Sequence, residues 1–143
     1  MRVHEVLQTK GSDVVSIPSG ATVRDLVALL AEHNIGAVVV HSDDAPLAGI
    51  VSERDVVRGL VDGTAVLDAP IAQIMTAKVH TAAPGDTVHD LMLLMTEHRI
   101  RHIPVVADDA LQGIVSIGDL VKSRIGELEF ERDQLESYVS HTQ

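Results

Sequence analysis

This chain contains itself twice, and that limits what it can fold into more than any other property does. Thr22-Val23-Arg24-Asp25-Leu26 aligns with Thr87-Val88-His89-Asp90-Leu91 at a shift of 65 positions. At the same shift Glu32-His33 meets Glu97-His98, and Ile35 meets Ile100. Past a loop one residue shorter in the second copy, Gly49-Ile50-Val51-Ser52-Glu53-Arg54-Asp55 meets Gly113-Ile114-Val115-Ser116-Ile117-Gly118-Asp119 at a shift of 64. Two units of similar length run from about Val14 to Leu60 and from about Val79 to Ile125. A unit of that size buries too little apolar surface to stand alone, so the two are expected to pack together.

Within each copy the pattern predicts strand, helix, strand, strand, helix. In the first, Val14 to Ile17 reads as a brief strand ended by Pro18-Ser19-Gly20. Thr22 then caps a helix, with Asp25 at the capping-box position and Val23, Leu26, Val27, Leu29 and Leu30 at helical spacing up to His33-Asn34. Ile35 to Val40 is a continuous apolar run, as in a strand covered on both faces. After a polar loop from His41 to Pro46, a third strand spans Leu47 to Val51 and a helix runs from about Glu53 to Leu60. The second copy repeats the order: strand Val79–Thr81, a helix capped by Thr87, strands Ile100–Val106 and Leu111–Val115, and a final helix. Val3 to Leu7 and Pro70 to Met75 read as short helices leading into the two copies, the second with Pro in its first turn.

The final helix outruns the repeat and extends to about Ser140. Val121, Ile125, Leu128, Leu135 and Val139 recur at alternating spacings of four and three, with Arg132 interrupting. Such a stripe either packs on its own domain or pairs with a second copy as in a coiled coil; a homodimer is the expectation.

The chemistry-bearing feature is the Ser and Asp of the repeated glycine segment, placed where a strand turns into a helix. A hydroxyl and the unpaired N–H groups of a helix start suit a phosphate, and a carboxylate accepts from ribose hydroxyls. The alternative is that Asp55 and Asp119 only cap their helices.

In order and repetition these segments resemble the tandem CBS-domain pair, named for cystathionine β-synthase. Its carriers here are Ala21 to Leu26, Glu32 to Val40, the glycine-Ser-Asp segment, and in the second copy His98-Arg99-Ile100-Arg101-His102-Ile103-Pro104-Val105. The resemblance implies an α/β (α+β) fold of two pseudo-symmetric repeats, each a small mixed sheet with two helices, plus the long C-terminal helix. The corresponding divisions are 1–62, 63–125 and 126–143. It implies two clefts between the repeats that bind adenosine-containing ligands such as AMP, ADP, ATP, S-adenosylmethionine or a nicotinamide dinucleotide. Asp55 and Asp119 match the ribose-binding acid, and Ser52 and Ser116 the hydroxyl beside ribose or phosphate. Ile35, Gly36, Ala37 and Val38, with Ile100, Arg101, His102, Ile103 and Pro104, match the second-strand segment around adenine and phosphates. Val15 and His80 match the first-strand position beside the base.

The copies differ in charge. Arg101 and His102 replace Gly36 and Ala37, while Arg54 stands where the second copy has Gly118, so the clefts are expected to be unequal. The two basic side chains favour AMP, ATP or NAD(H) over S-adenosylmethionine. Lys10, Lys78, Arg58 and Lys122 are further phosphate candidates or ordinary solvated cations.

Composition removes other classes. With no cysteine there is no disulfide, thiolate nucleophile or Cys-ligated zinc. The eight histidines show no ligand spacing. No nucleophile elbow or phosphate-loop lysine occurs, so neither an enzyme nor a required cofactor is expected. A formal charge of −10 disfavours nucleic acid. No apolar run approaches a membrane span, and Met1-Arg2-Val3-His4-Glu5 does not open a signal peptide, so a cytoplasmic protein is expected. The expected function is a nucleotide-binding regulatory module that signals occupancy to a regulated protein. The alternative is an assembly protein acting through its C-terminal helix, with vestigial clefts.

Overall fold

The computed structural model describes residues 1–142. Five helices and five strands follow in the order α1 (Val3–Lys10), β1 (Ser16–Pro18), α2 (Val23–His33), β2 (Ala37–Ser42), β3 (Ala45–Ser52), α3 (Glu53–Gly59), α4 (Val88–His98), β4 (His102–Ala107), β5 (Ala110–Ser116) and α5 (Ile117–Thr142). Between α3 and α4 lie three 3-10 turns, at Leu60–Asp62, Thr64–Asp68 and Ile71–Gln73.

The chain divides into two compact units that do not coincide with contiguous sequence. One comprises Asp13–His80 with Asp108–Leu111, and is the unit of the first repeat. The other joins Met1–Ser12 to Thr81–Ala107 and Gln112–Gln143, so α1, which precedes the first repeat, packs with the second.

In the first-repeat unit the sheet order is β1-β2-β3. β1 runs parallel to β2, with Ile17 opposite Val40, and β3 runs antiparallel, with Ala37 opposite Ser52. The register shifts between Val40 and Ser42, where His41 on β2 faces residues 46–48 of β3 in a bulge, and β3 is one residue longer than β5. β3 is longer than expected, β2 is displaced two residues from the expected Ile35–Val40, β1 is a three-residue strand rather than the expected Val14–Ile17, and the His41–Pro46 loop shrinks to a turn at Asp43-Asp44. The core is Ile17, Val23, Leu26, Leu30, Val38, Val40, Val51, Val56 and Ile71. With almost no aromatic side chains to use, it interlocks branched aliphatics. Thr22 caps α2 by accepting from the Asp25 N–H, while the Asp25 carboxylate takes the Thr22 N–H.

The second-repeat unit repeats the plan with two departures. Its core is Val3, Val6, Leu7, Ala82, Val88, Leu91, Met95, Ile103, Val105, Val115 and Leu120. The methionine at 95 fills core, as its helical spacing implied. The strand expected at Val79–Thr81 does not form; only Ala82 bridges Val105. The reason is Pro104. In the first repeat the Val39 N–H donates to the Val15 carbonyl at 3.3 Å, and at the 65-residue shift Val39 becomes Pro104, which has no N–H. The helix expected at Pro70–Met75 is likewise a single 3-10 turn. Thr76 is drawn into an antiparallel bridge with Ile50, which stops the turn from propagating.

β4 and β5 meet at Asp108-Asp109, both at positive φ (52° and 60°), the backbone a tight hairpin favours. α5 is 26 residues long. Leu120 is fully buried, but Ile125, Leu128, Leu135 and Val139 are 48–66% exposed, so the stripe does not pack on its own chain. Among the described residues no helix is long and apolar enough to cross a membrane.

Candidate functional site

Each repeat turns a buried strand into a helix at its Ser, and the two turns are built alike. Ser52 caps α3: its Oγ accepts from the Asp55 N–H at 3.4 Å, and its N–H donates to Asp55 Oδ2 at 2.9 Å. The Ser52 hydroxyl also donates to Asp55 Oδ2, at 3.2 Å. At α5, Ser116 Oγ accepts from the Asp119 N–H at 3.1 Å and the Ser116 N–H donates to Asp119 Oδ2 at 2.9 Å. The capping reading is therefore realised in both copies. It does not exhaust the carboxylates. Among the described residues, Oδ1 of each aspartate accepts no hydrogen bond, and both side chains are half-buried at a helix start.

The second-strand segments close on these turns. The Gly36 carbonyl accepts from the Glu53 N–H at 2.9 Å, and the Arg101 carbonyl from the Ile117 N–H at 2.8 Å. In the first-repeat unit this gathers Gly36, Ala37, Ser52 and Asp55, with Ile35 half-buried and Val38 in the core. Val15 is held to the same sheet through Val39. Arg54 and Arg58 are exposed and form no ion pair among the described residues. His80 is exposed and lies just before the bridge at Ala82 rather than on a strand. In the second-repeat unit Arg101 is exposed, His102 opens β4 half-buried, Ile100 is half-buried, and Ile103 and Pro104 are buried.

The copies diverge at a residue the sequence could not pair. Lys10, the last residue of α1, donates to Asp119 Oδ2 at 2.6 Å and to the Ile114 carbonyl at 2.6 Å. Its helix is fixed from the other end, where the Val3 N–H donates to the Asp86 carbonyl at 2.9 Å and the Val88 N–H to the Met1 carbonyl at 3.0 Å. Burial pushes the Asp119 carboxyl upward. The Lys10 ammonium, with the Ser116 N–H and hydroxyl, outweighs that and holds it below the usual carboxylate range. Lys10, Asp119 and Lys122 line one cavity of about 520 Å³ between α1 and α5, walled on its apolar side by Val6 and Phe130. Another, of about 540 Å³, opens at the β2–β3 turn around His41, Asp43 and Asp44 and is walled by Val14 and Ser16, the neighbours of Val15. Among the described residues no three His, Cys, Asp or Glu side chains gather to hold a metal ion.

Comparison with known proteins agrees with this architecture. The sequence profile of the CBS domain matches residues 3–62 and 71–126. The chain belongs to the CBS-domain family, as a tandem pair. It is 36% identical to a mitochondrial CBS domain-containing protein of Arabidopsis thaliana, over 96% of this chain and 71% of that one. The crystal structure of a CBS-domain containing protein from Agrobacterium tumefaciens superposes with a TM-score of 0.84 at 38% identity, covering 87% of this chain and 99% of the other. A CBS domain protein from Pyrobaculum aerophilum, solved in complex with AMP, is 32% identical with a TM-score of 0.77, covering 92% and 99%.

Proposed function

We propose that this chain is a regulatory module that binds an adenosine-containing ligand through Asp55 and Asp119 and signals its occupancy to a protein it regulates. The observation that carries the reading is the duplicated turn, in which each aspartate commits Oδ2 to its cap and keeps Oδ1 available to ribose hydroxyls. The helix-start N–H groups that these caps leave over supply donors for a phosphate. AMP binding by the Pyrobaculum relative supports the ligand class; AMP, ATP and NAD(H) are the candidates. No turnover is required: a ligand that binds two arrangements of the protein unequally shifts their populations, and that shift is the signal.

The exposed stripe of α5 favours a second element of the reading. Ile125, Leu128, Leu135 and Val139 offer a surface for a second copy, making the protein a homodimer. Were this helix the only functional part, the clefts would be vestigial and the protein an assembly device.

Isothermal titration of the purified full chain with AMP, ATP, NADH and S-adenosylmethionine tests the first reading. Saturable heat from a nucleotide supports it; no heat from any, with the protein folded and free of ligand, leaves the assembly reading. Deleting residues 131–143, which spares Phe130 and the cavity beside Asp119, separates the two elements: the expected result is a monomer by light scattering with nucleotide binding retained.

A further inference from the structure

Lys10 differs from the other candidate cations because its ammonium is already placed. Two of its three protons go to the Ile114 carbonyl and Asp119 Oδ2, and the third is left for a ligand. Asp119 keeps Oδ1 as an acceptor beside it, and Lys122 lines the same cavity. The first repeat has no equivalent. At the 65-residue shift Lys10 falls on Met75, whose thioether packs at Gly49 and carries no charge. Asp55 forms no ion pair among the described residues, so its carboxylate is held by the Ser52 N–H and hydroxyl with no cation against it.

We propose that Lys10 is the specificity-determining residue of the Asp119 site: it neutralises the ribose-binding acid and presents a proton to phosphate, so this site selects phosphorylated adenosine ligands and the Asp55 site does not. An unpaired carboxylate repels a phosphate held a few ångströms away, and a paired one does not. A charge-assisted bond from an ammonium held at two points adds attraction at little cost in side-chain order. The inference rests on the proposed function and narrows its ligand class at one acid.

The test is titration of the full chain with AMP and with adenosine at fixed low salt, in the wild type, Lys10→Met, Lys10→Gln and Lys10→Arg. Lys10→Met and Lys10→Gln should weaken AMP by about tenfold or more and adenosine by at most about threefold. Lys10→Arg should restore the AMP preference. The wild-type preference should shrink as ionic strength rises. Equal weakening of both ligands would reduce Lys10 to a support for Asp119, and tighter AMP binding would make it an obstruction; either overturns the inference while leaving the proposed function intact. A wild type that binds neither ligand overturns the proposed function itself. Thermal melts of each variant guard against misfolding, and the Gln variant stands in should the Met variant unfold.

Discussion

The two units are built from one repeated sequence, yet they treat the same acid differently. Around Asp119 the leading segment is a full helix, α1, ending in an ammonium. Around Asp55 it is one 3-10 turn followed by a methionine and a threonine that pairs with β3. The Ile50 carbonyl accepts from the Thr76 N–H at 2.9 Å, whereas its counterpart, the Ile114 carbonyl, accepts from Lys10 Nζ. The repeated elements fix where the carboxylate stands, and the segments outside the close repeat fix its charge environment.

The comparison can be broken first through the core. Ile71 is fully buried and corresponds to Val6 at the 65-residue shift. Ile71→Ala should cost about 3 kcal/mol in urea unfolding and Val6→Ala about 2 kcal/mol, having fewer methyl groups to lose. Equal costs would mean that the two leading segments contribute alike despite their different backbones. A smaller effect is expected at the paired glycines. A Cβ on Gly49 would lie 2.7 Å from the Thr76 carbonyl oxygen, a backbone atom, while one on Gly113 would lie 2.8 Å from Leu7 Cδ2, a side-chain tip that can turn aside. Gly49→Ala should therefore destabilise by about 2 kcal/mol and Gly113→Ala by under about 1 kcal/mol; the reverse order would show that the Ile50–Thr76 bridge yields easily.

Converting one unit into the other sharpens the contrast. In an Asp119→Asn background, Met75→Lys should raise the AMP-over-adenosine preference of the remaining site by about threefold to fivefold, read by calorimetry. No gain would mean that a lysine there cannot reach Asp55. The smallest effect concerns acid. The Asp119 carboxyl is lowered on folding, so its contribution to stability is complete above the unfolded value of about 3.9. It is lost as pH falls through the folded value below that. Lys10→Met should remove part of it, about 0.5 kcal/mol for a partly exposed pair. The stability difference between wild type and variant should vanish at the acid end of a pH series of urea melts. A difference that persists unchanged there would assign Lys10's contribution to packing instead.

What was legible in the sequence was what local rules decide. Thr22 and Thr87 announce α2 and α4, and both cap as their spacing implied. The one-residue difference between the copies appears as the extra residue of β3 over β5. The stripe on α5 follows from spacing alone, and its side chains from Ile125 to Val139 are exposed. The failures lie where distant residues decide. Val79–Thr81 has strand composition, but its ladder needs a donor that Pro104 lacks. Pro70–Met75 has helix signals, but Thr76 is claimed by Ile50. Both candidate acids stand out in the sequence through repetition. The Lys10–Asp119 pair was not, because the two are 109 positions apart and no periodicity links a helix end to a strand-to-helix turn that far along the chain.

The interleaving of the units bears on how the protein is made. Residues 1–12 are synthesised before their packing partners, which lie in 81–107 and 112–142. The first-repeat unit is nearly complete once His80 has emerged, whereas α1 must wait, with Val3, Val6 and Leu7 uncovered, until α4 and β5 arrive. Such late closure of distant segments slows folding and leaves apolar surface open to misassociation. A chain cut between the repeats would therefore yield neither unit whole: the N-terminal piece would carry an orphaned helix, and the C-terminal piece would lack one wall of its core.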